Sequence, residues 1–144
     1  MQTFNYGQDL LTASIALKLA RKETRGVFAP DTVEKINKSA DAVAQIAQGD
    51  EAVYGINTGF GPLCTTRISA DDTTTLQENL LKSHAVGLGD YIPAEISRLM
   101  LVLKIHALAQ GFSGIRYETL ERILWMLKND VIPVVPEQDR KSVV

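Results

Sequence analysis

A mainly helical fold, with about five helices and one long glycine-rich irregular loop, is predicted by this sequence. Five segments carry apolar residues at steps of three and four, as one face of a helix requires. Glycine and proline separate many of these segments. Residues 50–68 show no helical periodicity. Strand and helix patterns do not alternate, so we expect no parallel sheet.

The first two helices are predicted in the N-terminal third of the chain. Residues 8–22 are rich in helix formers, and their apolar side chains lie on most sides, so this helix is expected to be well buried. The second helix is expected to begin at Pro30 and Asp31 and to end before Gly49. Its apolar face comprises Val33, Ile36, Ala40, Val43, Ala44 and Ala47.

The third helix is predicted to begin near Ser69, because Ser69 and Asp72 have the spacing of a capping box. It is limited by glycines at 87 and 89. Its apolar stripe has a spacing of four residues and comprises Leu76, Leu80, His84 and, if the helix extends that far, Leu88.

Two further helices are predicted at about 93–110 and 116–129, followed by an extended stretch at 131–136 that contains two prolines. The fourth helix is expected to turn one face inward, made of Ile96, Leu99, Met100, Leu103, His106, Ala107 and Gln110. The fifth is expected to bury Tyr117, Leu120, Ile123, Leu124 and Leu127.

Composition restricts the class of protein. The 144 residues are 45% hydrophobic and 22% charged, which predicts one soluble globular domain. A net charge of −2 and the lack of a long apolar run favour neither nucleic acid nor a membrane as partner. The single cysteine, Cys64, excludes an internal disulfide, and the N-terminus lacks a signal-peptide pattern. We therefore expect a cytoplasmic protein.

The loop AVYGINTGFGPLCTTRIS, residues 52–69, contains the main functional signal. A long irregular loop in a compact helical domain is usually functional. Its glycines permit positive φ and close backbone approach. Tyr54 alone is open to two interpretations, because a loop tyrosine is more often a packing residue. A phenol, whose reference pKa is near 10, also needs stabilisation of its phenolate to act as a base at neutral pH.

The string YGINTGFG, residues 54–61, resembles the signature of the histidine ammonia-lyases, within the aromatic amino acid ammonia-lyase and aminomutase family. The resemblance covers residues 5–137 and continues through TTRIS, LQENLLKSHAVGLGD, GFSGIR and VIPVVP. Asn57 and the pair Ser83 and His84 favour the histidine branch, although some tyrosine lyases and aminomutases also carry a histidine at the latter position.

The resemblance implies a reaction and a set of residue roles. The family eliminates ammonia from an L-amino acid without a bound organic cofactor, using a methylidene-imidazolone formed from its own Ala-Ser-Gly triad. Tyr54 matches the tyrosine that removes the β-proton. His84 and Asn57 are assigned to the substrate-binding side, where Asn57 shapes the site rather than taking part in the chemistry. The remaining residues assigned to the site-shaping loop are Gly55, Gly59, Phe60 and Gly61.

Both histidines also have simpler explanations. A histidine on an apolar helical stripe is more often a packed core residue, which is the alternative for His84 and the interpretation adopted for His106. No carboxylate or cysteine lies at ligand spacing from them, so no metal site is predicted.

The sequence departs from the family after the VIPVVP stretch. Family members continue closely with GSVGASGDLAPL, whereas this chain reads VPEQDRKSVV and contains no Ala-Ser-Gly. We therefore divide the chain into an ammonia-lyase-like domain, 1–137, and a divergent tail, 138–144. The expected function is the N-terminal segment of a histidine ammonia-lyase, inactive alone and acting on an L-histidine-like amino acid only when the missing segment is supplied.

Two alternatives are a non-catalytic remnant or interaction module, and a segment of a related tyrosine lyase or aminomutase. Self-association is also expected, because a fragment of a larger assembly exposes apolar helix faces. The expected sources are the first helix and, on the fifth, Trp125 and Met126.

Overall fold

The structure is a computed structural model that describes residues 3–59 and 65–139. Its helices are α1 (Ala13–Ala20), α2 (Pro30–Gln48), α3 (Ala70–His84), α4 (Ala94–Leu108) and α5 (Tyr117–Lys128). Its strands are β1 (Thr3–Asn5), β2 (Arg25–Val27), β3 (Gly87–Tyr91) and β4 (Pro136–Asp139). The prediction of a mainly helical fold with five helices is confirmed for these residues.

The chain divides into two compact units. The first unit comprises Met1–Ala40 and Tyr91–Val135, and the second comprises Asp41–Asp90 and Pro136–Val144. The boundary predicted from the sequence, at residue 137, stays a prediction.

The strands were not predicted. β1 and β2 form a parallel pair, in register from Thr3 with Arg25 to Asn5 with Val27, so the expectation of no parallel sheet is wrong for these two short strands. β3 and β4 form a second two-stranded sheet. Strands of three to five residues are too short for a two-residue alternation to identify them.

Helix α1 begins at Ala13 rather than at residue 8. Thr12 is its N-cap, and the Thr12 side chain accepts a hydrogen bond from the Ile15 amide at 3.3 Å. Leu10, which lies before the helix, is 81% exposed. The helix buries one face and leaves Leu17 partly exposed, so it is less buried than expected.

The core of the first unit forms where α4 packs against α1 and α5. Its buried apolar side chains are Phe4, Tyr6, Ala16, Leu19, Ala20, Ile36, Val102, Ile105, Ala109, Leu120, Leu124 and Leu127. The predicted inward face of α4 is wrong in part, because Ile96 and Leu103 are exposed while Val102 and Ile105 are fully buried. Helix α4 is apolar around most of its circumference, so periodicity does not select its buried face.

His106 is packed on its helix, as predicted. Its Nδ1 accepts a hydrogen bond from the Gly7 amide at 3.3 Å, and its ring lies beside those of Phe4 and Tyr6. No helix within residues 3–59 and 65–139 is both long enough and apolar enough to span a membrane.

Candidate functional site

The described site residues all belong to the second unit. Tyr54, Gly55, Asn57 and Gly59 lie in the loop after α2, and His84 is the last residue of α3. Phe60, Gly61 and Cys64 lie outside the described residues. The roles assigned to Phe60 and Gly61 therefore stay predictions.

Tyr54 lies at the apex of a tight turn. The Ile56 amide donates to the Val53 carbonyl oxygen at 3.1 Å, which places Tyr54 and Gly55 at the two central positions. Gly55 has φ of +81°, the value that the third residue of a type II turn requires. A Cβ added to Gly55 would meet nothing within 4 Å, so glycine is favoured here by backbone conformation rather than by space. Tyr54 is 64% exposed.

Asn57 is the centre of the hydrogen bonds within this loop, and it is only 4% exposed. Its Oδ1 accepts from the Val53 amide at 2.8 Å. Its Nδ2 donates to the carbonyl oxygens of Glu51, at 2.9 Å, and Ile46, at 3.4 Å. The side chain therefore links the end of α2 to the turn that carries Tyr54.

A short antiparallel ladder follows this turn. The Ile68 amide donates to the Asn57 carbonyl oxygen at 2.9 Å, and the Gly59 amide donates to the Thr66 carbonyl oxygen at 3.1 Å. Thr58, which is buried, pairs with Arg67 across the ladder. The described residues of this loop are non-helical, as expected, but those on either side of residues 60–64 pair with each other, which the sequence did not indicate.

Helix α3 begins where the sequence predicts. Ser69 is its N-cap, with Oγ accepting from the Asp72 amide at 3.1 Å. The same hydroxyl lies 2.6 Å from Asp72 Oδ2, to which it donates. The two residues therefore bond to each other, as the capping-box spacing indicates, although the carboxylate binds the hydroxyl rather than the cap amide.

His84 continues a half-buried stripe along α3. Leu76, Leu80 and His84 are the half-buried residues, whereas the other described side chains of this helix are exposed. The helix ends at His84, and Leu88, which the predicted stripe included conditionally, lies in β3 and is 67% exposed.

The His84 ring has a defined hydrogen-bond arrangement. Its Nδ1 lies 2.9 Å from the Leu80 carbonyl oxygen and 2.8 Å from Ser83 Oγ. A carbonyl oxygen can only accept, so this network assigns the proton of the neutral ring to Nδ1. Nε2 is then a hydrogen-bond acceptor.

Among the described residues, no group of three or more His, Cys, Asp or Glu side chains could hold a metal ion.

The hydrogen-bond partners of Asn57 could not be predicted from the sequence. Those partners are backbone atoms of residues 46, 51 and 53, and such atoms occur at every residue.

Comparison with known proteins defines the class of protein. The sequence model of the aromatic amino acid lyase family matches residues 11–140, so this chain belongs to that family. Among curated relatives, histidine ammonia-lyase of Myxococcus xanthus is 45% identical over 130 residues, covering 90% of this chain and 26% of the relative. Histidine ammonia-lyase of Bacillus subtilis is 42% identical over 132 residues, again covering 26% of the relative.

Solved structures agree with this assignment. Histidine ammonia-lyase from Trypanosoma cruzi has a TM-score of 0.80 at 31% identity, with 96% of this chain and 26% of that chain covered. Tyrosine aminomutase from Streptomyces globisporus has a TM-score of 0.84 at 26% identity, with coverage of 95% and 26%. This chain therefore spans about a quarter of the length of these relatives.

Proposed function

We propose that this chain is the N-terminal part of a histidine ammonia-lyase, which converts L-histidine to trans-urocanate and ammonia. The curated relatives reported above, which carry that name, support the substrate class. The observation that carries the proposal is the turn at Tyr54, where Gly55 and Asn57 fix the backbone while most of the phenol side chain remains exposed.

Tyr54 is the proposed base. In the elimination, the bond from Cβ to hydrogen breaks and the proton passes to the phenolate oxygen of Tyr54. The electron pair of that bond forms the double bond between Cα and Cβ. The amino group, which must carry its third proton, leaves as ammonia with the electron pair of the bond from Cα to nitrogen. Only the phenolate form can accept this proton, so the complete site must stabilise that form.

His84 is the proposed binding group for the substrate side chain. With the proton on Nδ1, which lies against the Leu80 carbonyl oxygen, Nε2 can accept a hydrogen bond from the N–H of a substrate imidazole. Asn57 and the loop glycines shape the site.

The electrophile of the family is not a product of these 144 residues, because they contain no Ala-Ser-Gly. The residues present therefore do not fit the methylidene-imidazolone, and we assign this chain no step through that group. We propose that the electrophile comes from residues outside this sequence and that the 144 residues alone are inactive.

A tyrosine aminomutase segment is the second candidate, since solved tyrosine aminomutases share this fold over 95% of the chain. A non-catalytic interaction module is the third.

We also propose that the chain self-associates, because large apolar side chains are exposed in each unit, among them Phe112 in the first and Leu81 in the second. A cytoplasmic location, and partners that include neither nucleic acid nor membrane, stay predictions.

The test is a urocanate absorbance assay on three samples. These are the 144-residue chain alone, the chain mixed with the part of the Myxococcus xanthus relative beyond its matched region, and the same mixture carrying Tyr54→Phe. We expect urocanate from the second sample only. Urocanate from the chain alone, or equal rates in the second and third samples, would contradict the proposal. To test the second candidate, L-tyrosine replaces L-histidine, and consumption of L-tyrosine is measured instead of urocanate.

A further inference from the structure

We propose that Asn57 is a positioning residue, which holds the Tyr54 turn by bonding to the Val53 peptide and does not itself contact the substrate. The inference rests on the proposed role of Tyr54 as the base. The family resemblance assigns Asn57 to substrate binding, whereas this proposal assigns it to holding Tyr54, the proposed base, in position.

Asn57 holds Val53 at both of its backbone polar groups. The Asn57 Oδ1 accepts from the Val53 amide at 2.8 Å, and the Asn57 amide donates to the Val53 carbonyl oxygen at 3.3 Å. The peptide of Tyr54 begins at that same carbonyl. Fixing both polar groups of Val53 therefore limits the directions in which the backbone can present the phenol.

The Asn57 side chain has no hydrogen-bond donor left for a ligand. A primary amide has two N–H donors, and those of Asn57 point to the carbonyl oxygens of Glu51 and Ile46. The side chain is also buried, so a substrate could reach it only if the loop opened. Contact with the substrate would therefore remove the bonds that hold the turn.

The chemistry of an amide is what this position needs. One atom must accept from the Val53 amide, and its neighbour must donate to two carbonyl oxygens. Leucine has a similar volume, but its side chain can neither accept nor donate a hydrogen bond. A carboxylate keeps the acceptor but turns a second negative oxygen toward two carbonyl oxygens, which is repulsive. A protonated carboxyl group restores one donor and is close to the amide in shape.

Two variants separate these functions. Asn57→Leu removes all the side-chain bonds. Asn57→Asp keeps the acceptor for the Val53 amide and removes both donors, one of which returns when acid protonates the carboxyl group. The matched control is Asn129→Leu, since Asn129 is an exposed residue of the first unit whose Nδ2 donates to the Trp125 carbonyl oxygen at 2.9 Å. That variant loses a side-chain to backbone bond without touching the loop.

The measurement is fluorine NMR on the 144-residue chain labelled with 3-fluorotyrosine, with the Tyr54 signal assigned by its loss in Tyr54→Phe. In Asn57→Leu we expect the Tyr54 signal to shift or broaden while the signal of the buried Tyr6 is retained. In Asn57→Asp we expect the Tyr54 signal to return toward the wild-type position as the pH falls from 8 to about 4, because acid protonates the introduced carboxyl group. Wild-type protein and Asn129→Leu should show neither effect.

Wild-type Tyr54 signals in both Asn57 variants at all pH values would overturn the proposal. If Asn57→Leu loses the Tyr6 signal and so has unfolded, the acid recovery of Asn57→Asp decides alone, and its absence overturns the proposal.

Kinetics of the complemented enzyme give an independent readout. A displaced base should lower kcat by roughly tenfold to a hundredfold in Asn57→Leu and leave KM near the wild-type value. A raised KM with unchanged kcat would mean that Asn57 contacts the substrate, which overturns the proposal. If the wild-type mixture makes no urocanate, the proposed function fails, while the NMR measurement still decides whether Asn57 holds Tyr54.

Discussion

Lys22 and Asp130 form an ion pair in which both residues have left-handed backbone. The Lys22 Nζ lies 3.4 Å from Asp130 Oδ2, and φ is +63° at each residue. Each residue directly follows a helix C-cap, Arg21 at the end of α1 and Asn129 at the end of α5. Glycine is the usual residue at such positions because it has no Cβ. At both positions this protein has a charged residue instead of glycine. Arg98 also forms an ion pair with Asp130.

Replacing Lys22 separates the backbone strain from the ion pair. Lys22→Gly and Lys22→Ala both lose the charge, but only glycine relieves the left-handed backbone. We expect the glycine variant to have the larger free energy of unfolding, by about 1 kcal/mol, in urea titrations. An exposed ion pair contributes little, so the glycine variant should be at least as stable as wild type. Equal stability of the two variants would show that the backbone is not strained.

Acidification should destabilise the first unit through His106. Burial lowers the pKa of His106, and the charge of Asp9 opposes this by raising it. Because the pKa is lower in the folded state than in the unfolded state, the unfolded chain takes up the proton first. The contribution of neutral His106 is therefore complete above about pH 6.5 and is lost as the pH falls below that value.

The free energy of unfolding, measured by urea titration at a series of pH values, checks this prediction. We expect it to decrease from about pH 6.5 downward in wild type, and the decrease to be smaller in His106→Gln. Glutamine is neutral throughout and can still offer an acceptor to the Gly7 amide, which donates to His106 Nδ1. The same slope in both proteins would assign the pH dependence to other groups.

The hydroxyl of Tyr6 should oppose folding. Tyr6 is fully buried, and its hydroxyl has no hydrogen-bond partner among the described residues. Burial also raises the pKa of Tyr6, as expected for a phenol kept from water. A buried donor without a partner costs about 1–3 kcal/mol. Tyr6→Phe keeps the ring contacts with Phe4 and Phe28 and removes this cost.

Thermal unfolding of Tyr6→Phe should therefore occur at a higher temperature than that of wild type. Gly26→Ala is the opposite test at the same ring, since an added Cβ would lie 2.2 Å from Tyr6 Cε2. We expect that variant to lose about 1–3 kcal/mol of stability through overpacking. A lower melting temperature for Tyr6→Phe would mean that the hydroxyl has a stabilising partner.

Local sequence signals predict the parts of this fold that depend on local interactions. Ser69 and Asp72 identify the start of α3 because the cap is made within four residues. The buried face of α4 depends on which helices pack against it. Because α4 is apolar around most of its circumference, its sequence does not show which face is buried. The pairing of β1 with β2 joins residues more than twenty positions apart, such as Thr3 and Arg25. No local pattern contains that information.

The candidate site also has one part that the sequence predicts and one part that it does not. The string around Tyr54 identifies the family and contains the proposed base, because those residue types are unusual in that order. The hydrogen bonds that hold the Tyr54 turn are not visible in the string, since Asn57 bonds to backbone atoms that any residue would supply. The structure was needed to find that connection.

Substitution of Gly55 should disturb the Tyr54 turn in proportion to how poorly the new residue tolerates positive φ. The residue has φ of +81°, and an added Cβ would meet nothing within 4 Å, so the effect is one of backbone conformation alone. We expect Gly55→Asn to be mildest, Gly55→Ala to cost about 1–2 kcal/mol in the turn, and Gly55→Val to be worst.

The Ile56 amide, which donates to the Val53 carbonyl oxygen, reports on the turn through its hydrogen-exchange protection. Protection should fall in the order Asn, Ala, Val, while the buried Ile105 amide keeps its wild-type rate. Equal protection of the Ile56 amide in the asparagine and valine variants would show that the turn does not need a residue with positive φ.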